Sequence, residues 1–419
     1  MRKQLSLLGI LLAVAFSSPA QVTTADLEHG PEQNWLTYIG DYSAQRHSPL
    51  TEITNKNVQH LAPKWVRHFD NPTYLETTPL VYQGVMYATS TNRVDALNAA
   101  TGKEIWHYEA KGVKGSAPSR GAAIWRDRIF IETSDCHLVA LARTNGAVLW
   151  DKEYATGYSC SGAPLVIKDK VIVGVAAGGR TCFISALAAF TGEEEWRFWS
   201  VPRKGEPGSD SWGSFPLEWG SAPTWTPGSF GPALNTLYWP IGNPWPDYYG
   251  GDRPGDNLYS DCLVALDPDT GKLKWHFQFT PHDTHDWDAN ETPVLFDGTW
   301  QGQPRKLVLQ ANRNGYYYVL DRATGKFLTG TPFVKELNWA TGLDPNGRPI
   351  LAPNMDPTPA GIRVCPTVHG ATNWWAPTLD AKLGIFYVVA LEKCEVYFSS
   401  PQKPVPNSGF RGTGIPSPT

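Results

Sequence analysis

The stretch Pro281-His282-Asp283-Thr284-His285-Asp286-Trp287-Asp288 places three carboxylates and two imidazoles within eight residues. Carboxylates at this density supply general bases and oxygen ligands for hard cations. Aspartates beside a hairpin also serve as turn formers, and a pair such as Asn243-Pro244 is ordinary loop chemistry. What the stretch does therefore depends on the elements that hold it against other polar groups.

Those elements repeat. Val94-Asp95-Ala96-Leu97 through Thr101-Gly102 to Trp106 is one copy. Leu138 to Trp150, Ile184 to Trp196 and Leu263 to Trp275 are three more, and Tyr318 through Thr324-Gly325-Lys326 is a fifth with Leu328 in place of Trp. The four tryptophans stand 44, 46 and 79 residues apart, so the third interval holds one repeat plus an insertion, at about 201–259. A unit of this length built from short strands suits a four-stranded propeller blade. Thr-Gly reads as a hairpin turn whose Gly permits positive φ, and the flat Trp reads as a spacer between blades. Leu61 to Phe69 is expected to form the first strand, and Leu237-Tyr238-Trp239 a strand inside the insertion. Trp 18, Gly 39, Pro 35 and only 18% charged residues fit an all-β chain rich in tight turns.

A net charge of −4 gives no reason to expect nucleic acid or an anionic membrane as partner. Residues 1–20 have the three parts of a cleaved secretory signal: basic Arg2 and Lys3, an apolar run from Leu5 to Phe16, and Ser18-Pro19-Ala20 before the cut. No other run is long and apolar enough to span a bilayer. The mature chain, 21–419, is thus expected in an oxidising compartment that permits disulfides. Its six cysteines lack CxxC spacing, which argues against zinc. Cys365–Cys394 is the favoured pair, flanking one strand pair, and the other four stay open.

The repeat, Gly40-Asp41-Tyr42 with Gln45 to Leu50, Gly242-Asn243-Pro244 with Arg253 to Asn257, the Pro281–Asp288 stretch and Asn312-Arg313-Asn314-Gly315 together resemble the quinoprotein alcohol dehydrogenases. These periplasmic enzymes hold pyrroloquinoline quinone (PQQ) and a metal ion in an eight-bladed β-propeller. The resemblance covers essentially the whole mature chain and implies about six of the eight blades. It assigns Asp286 as the catalytic base that takes the alcohol's proton. It assigns Asn243, Asp286 and Asp288 to Ca2+ or a lanthanide; residues i and i+2 of an extended segment face the same way, so both aspartates can reach one hard cation. It assigns Arg313 to the quinone oxygens, Trp225 to the stacking face, and Glu76, Arg120, Ser161 and Asn373 to the rest of the cofactor's rim. His282 and His285 read as structural. The implied substrate is a small alcohol. With no CxxCH motif in the chain, the electrons are expected to pass to an external acceptor such as a cytochrome c.

Three departures qualify these expectations. Where the family has two adjacent cysteines before the segment containing Arg120, this chain has about Lys114-Gly115. Where the family has a metal-binding Glu, Val173 to Cys182 carries none, and Arg180 lies close to the expected carboxylate. Family members continue for two further blades beyond the position of Thr419. Two rival readings follow: a decayed or truncated dehydrogenase that binds cofactor poorly, and a non-catalytic propeller scaffold for protein interaction or outer-membrane assembly.

Overall fold

Each repeat builds one antiparallel sheet. The computed structural model describes residues 21–69, 74–400 and 413–414, so the signal segment lies outside the described residues. Five four-stranded meanders follow one another: Leu80–Tyr82 to Glu104–Glu109, Ala123–Trp125 to Val148–Glu153, Leu165–Ile167 to Glu194–Trp199, Ser229–Gly231 to Leu273–Gln278, and Val294–Trp300 to Phe327–Pro332. Smaller sheets follow, among them the two-stranded pair Thr378–Asp380 and Ile385–Tyr387. The strand expected in the insertion is Thr236–Pro240. Leu61 to Phe69 is not a strand.

Though not in a strand, that segment contributes Trp65 to the first sheet. Trp65 Nε1 donates to Ala99 O at 3.1 Å, and its ring lies against Gly102 of the first sheet. Trp106 repeats this on the second sheet, donating to Arg143 O at 3.1 Å with its ring on Gly146. Trp150 does so at Ala189 O and Gly192, Trp196 at Pro268 O and Gly271, and Trp275 at Arg322 O and Gly325. A Cβ on Gly146 would stand 2.5 Å from the indole, and its φ of +71° is one that side chains rarely adopt. The turn glycine is thus required twice, by its own turn and by the neighbouring blade's Trp. The turns are also capped from within. Asn98 Oδ1 accepts from Thr101 N and Oγ1, and Asp267 and Asp321 do the same for Thr270 and Thr324.

Because blades pack face to face, their middle strands are covered on both sides. Ile129, Phe130 and Ile131 are buried in succession, as are Leu138 to Leu141. Such strands read as continuous apolar runs rather than alternating ones. An outer strand such as Val148–Glu153 is exposed along much of its length.

Antiparallel meandering fixes where function can sit. The segment leading into a first strand and the connection between the second and third strands lie on one face of the ring. The Thr-Gly turns, between third and fourth strands, lie on the other. The lead-in segments are stitched together: Thr78 N donates to Arg120 O at 2.9 Å, and Arg120 N to Gly162 O at 3.2 Å. The chain after Gly40 ties further blades, with Phe230 N donating to Tyr42 O, Leu295 N to Ser43 O and Leu379 N to Gln45 O.

Candidate active site

The nine residues singled out from the sequence fall on that one face. Glu76, Arg120, Ser161, Trp225, Asp286, Asp288 and Asn373 stand in lead-in segments, a few residues before six successive first strands. Asn243 follows the second strand of its sheet, and Arg313 lies between Gln303–Ala311 and Tyr316–Asp321. Seven lead-in positions and two second-to-third connections thus meet over the ring.

Asp283 does the turn forming in the acidic stretch. Its two carboxylate oxygens accept from His285 N at 2.9 Å and Trp287 N at 2.8 Å. Trp287 goes inward, fully buried, and donates to Thr367 O at 3.0 Å. Its neighbours Asp286 and Asp288 accordingly face the other way, into a cavity of about 420 Å3. Asp286 has a φ of +63° and its Oδ2 accepts from Tyr248 Oη at 3.1 Å. The histidines are structural: His285 stacks on Trp287 at 4.4 Å and its Nε2 meets Met355 O, while His282 Nδ1 meets Gly255 O at 2.8 Å.

The same cavity is lined by Asn243, Asp247, Arg313 and Trp225. Asn243 N donates to Asp288 Oδ1 at 3.0 Å. Gly242 makes this approach possible, since a Cβ there would lie 1.8 Å from the same oxygen. Arg313 is surrounded at long range: Asp288 Oδ2 and Asn373 Oδ1 at 3.3 Å from Nη2, Asp286 O at 3.3 Å from Nη1, and Glu291 Oε1 at 3.7 Å from Nε. Charge-assisted bonds are normally near 2.8 Å, so the guanidinium is held without being saturated. Burial works against its charge, but Asp288, Glu291 and Asp286 outweigh burial and raise its pKa.

A second group adjoins the first across Trp225. Arg120 pairs with Glu76 at 2.7 Å and donates to Ser161 O and Oγ at 2.7 and 2.8 Å. Its guanidinium lies 4.4 Å from the Trp225 ring centre and 5.0 Å from that of Trp374. All nine residues therefore form one constellation, though Ser159 rather than Ser161 lines the cavity wall. The donors on the cavity's acidic side are carboxylate and amide oxygens, the set a hard cation takes. Trp225 and Arg313 beside them suit a flat, oxygen-bearing ring. Arg120 lies over the ring of Trp225 but is not among the residues lining the cavity.

Asp247, Tyr248, Asp261, Glu291 and Trp374 escaped the sequence reading, because loop residues carry no periodicity. The departures take physical form. Ala176, Ala177 and Gly178 line the cavity where a carboxylate was expected. Arg180 does not line it; its guanidinium packs on Tyr158 at 5.0 Å and donates to Thr156 O. Lys114 and Gly115 hold the segment before Arg120 through Asp135 and Ser134. Cys365–Cys394 is bridged as favoured, Cys136–Cys160 is a second bridge, and Cys182 and Cys262 are buried thiols.

Residues 35–335 match the PQQ family described as glucose/ethanol/alcohol dehydrogenase, beta-propeller domain. The chain is 36% identical, over 94% of its length, to a quinohemoprotein alcohol dehydrogenase, ADH IIB, of Pseudomonas putida, and spans 61% of that protein. It is 35% identical, over 92% of its length, to the quinoprotein alcohol dehydrogenase PedH of Pseudomonas putida, and spans 71% of it. Among solved structures it superposes on the quinohemoprotein alcohol dehydrogenase of Comamonas testosteroni with a TM-score of 0.82 and 32% identity, covering 87% of this chain and 59% of that one. A europium-containing methanol dehydrogenase superposes with a TM-score of 0.83 and 30% identity, covering 91% and 72%.

Proposed function

The chain belongs to the quinoprotein alcohol dehydrogenase family, and on that premise we propose that it oxidises a small alcohol using PQQ and a hard cation. The single observation that carries this reading is that Asn243, Asp286, Asp288, Arg313 and Trp225 line one cavity. When bound, PQQ supplies the hydride acceptor and the cation polarises its carbonyl. Asn243, Asp286 and Asp288 would hold the cation, which we assign to Ca2+ or a lanthanide. Arg313, held at long range by its own neighbours, would orient the quinone oxygens. Trp225 would support the ring's face, and Arg120 with Ser161 and Glu76 would serve the ring's carboxylate rim. Asn373 steadies Arg313 from behind.

Asp286 takes the alcohol's proton. Its carboxylate lines the cavity, and its Oδ2 accepts from Tyr248 Oη, which orients it. The electrons leave to an external acceptor, for which a cytochrome c is our choice. We place the protein in the periplasm; its signal-like first 20 residues and two disulfides support that compartment. A decayed enzyme is the competing reading, favoured by the wall at Ala176 to Gly178, which carries no carboxylate. The two readings part in one experiment: PQQ with Ca2+ or La3+ is added to the protein, and PQQ absorbance is followed. A saturable spectral change that requires the cation supports the enzyme, and its absence at every cation concentration supports decay.

A further inference from the structure

Glu132 ends the strand Arg128–Glu132, is only 5% exposed, and does not line the cavity. Its Oε1 accepts from Tyr154 Oη at 2.8 Å, and its Oε2 forms no hydrogen bond of ordinary geometry among the described residues. A carboxyl buried with one oxygen unmatched is costly, so its place in the fold calls for a reason. The same tyrosine hydroxyl lies 2.9 Å from Cys160 Sγ, half of the Cys136–Cys160 bridge, and 3.2 Å from Gly174 O.

The unmatched oxygen faces Gly162. A Cβ on that glycine would lie 2.8 Å from Glu132 Oε2 and 3.2 Å from Trp225 O, so the glycine is wedged between the carboxyl and the Trp225 backbone. This peptide also holds Arg120. Ser161 O and Oγ accept from Arg120 Nη1 at 2.7 and 2.8 Å, and Gly162 O accepts from Arg120 N at 3.2 Å. Glu132 thus stands behind the two residues that join Arg120 to the segment of Trp225.

Tyr154 and Arg120 are the titratable and charged groups that face it. Burial pushes the carboxyl up to about 7, against the Tyr154 hydroxyl, the Gly162 amide and the Arg120 charge. Once ionised, Glu132 draws on the same Arg120 charge that an anionic ligand needs. Resting on the PQQ reading, we propose that Glu132 is a positioning residue: its neutral carboxyl seats the Ser161-Gly162 peptide and leaves Arg120 to the cofactor's carboxylate rim, and its ionisation weakens that hold.

PQQ binding tests this without turnover. PQQ is titrated, with Ca2+ or La3+ present, into wild type, Glu132→Gln and Tyr154→Phe across about pH 6 to 8.5, where such a proton linkage acts. Tryptophan quenching reads affinity, and circular dichroism checks the fold. Wild-type affinity should fall above neutral pH, by at most about tenfold per pH unit for one linked proton. Glu132→Gln should lose that part of the fall. Tyr154→Phe removes a bond that favours the anion, so the fall should move to higher pH. Glu291, at about 8 beside Arg313, is common to all three proteins, and the difference between them reports Glu132. Infrared spectra without PQQ should show a protonated-carboxyl band near neutral pH that Glu132→Gln removes. If wild type and Glu132→Gln share one pH profile, Glu132 only fills its slot and the proposal is overturned, with the PQQ reading intact. If Glu132→Gln does not fold, an unmoved profile in Tyr154→Phe overturns it equally. If wild type binds no PQQ at any pH, the PQQ reading fails and takes the proposal with it.

Discussion

Asp286 and its buried neighbours carry the residue-scale expectations. Asp286→Asn keeps the shape and removes the base; PQQ-dependent dye reduction with an alcohol should fall by about 10²-fold or more. Arg313→Lys is not conservative here, because an ammonium cannot face Asp288, Glu291 and Asn373 at once. Weaker PQQ binding, read as lost quenching of tryptophan fluorescence, is expected. Two buried glutamates set a pH dependence. Burial pushes Glu132 up to about 7, against the opposing bond from Tyr154. It pushes Glu291 up to about 8, against Arg313. The folded chain then holds protons that the unfolded chain has already lost. Stability contributed by these groups is full below the ordinary carboxyl range and falls as pH rises toward 8, by an amount on the order of a few kcal/mol. Glu291→Gln should flatten that slope in thermal unfolding between about pH 5 and 8; a slope identical to wild type contradicts the assignment.

At the scale of elements, stability and chemistry occupy opposite faces of the ring. Gly146→Ala meets the Trp106 ring at 2.5 Å, whereas Gly84→Ala, with a similar φ of +75°, meets nothing within 4 Å. The first should cost roughly 1–3 kcal/mol more than the second, as overpacking does, with the difference read from paired denaturant melts. Trp106→Ala should cost about 3–5 kcal/mol. Thr-Gly and Trp at a 44-residue period were legible because hairpin turns and spacers need fixed residue types. Trp65 was misread as part of a strand: it stands alone before the first repeat, and the same docking was visible only once Gly102 lay against it. The middle strands hid their register, since burial on both faces removes the alternation that marks it.

For the whole molecule, the sequence exposed an all-β propeller and a shared site but not the mutual position of its parts. Asp286 and Asn243 lie 43 residues apart in different sheets, and the meander alone explains why their segments share a face. Asp247 and Glu291 stayed hidden for the same reason in reverse, because a loop residue's partners are set by which blades flank it. The described residues form five complete four-stranded sheets and smaller ones after them, and the site draws on six lead-in segments. The most direct test of the account joins cofactor, cation and base in one assay. Purified protein is given PQQ with La3+ or Ca2+, and dye reduction on addition of ethanol is compared between wild type and Asp286→Ala. The account predicts turnover that needs PQQ and cation together and is lost in Asp286→Ala. Equal turnover in the two proteins, or none in wild type at any cation concentration, would contradict it.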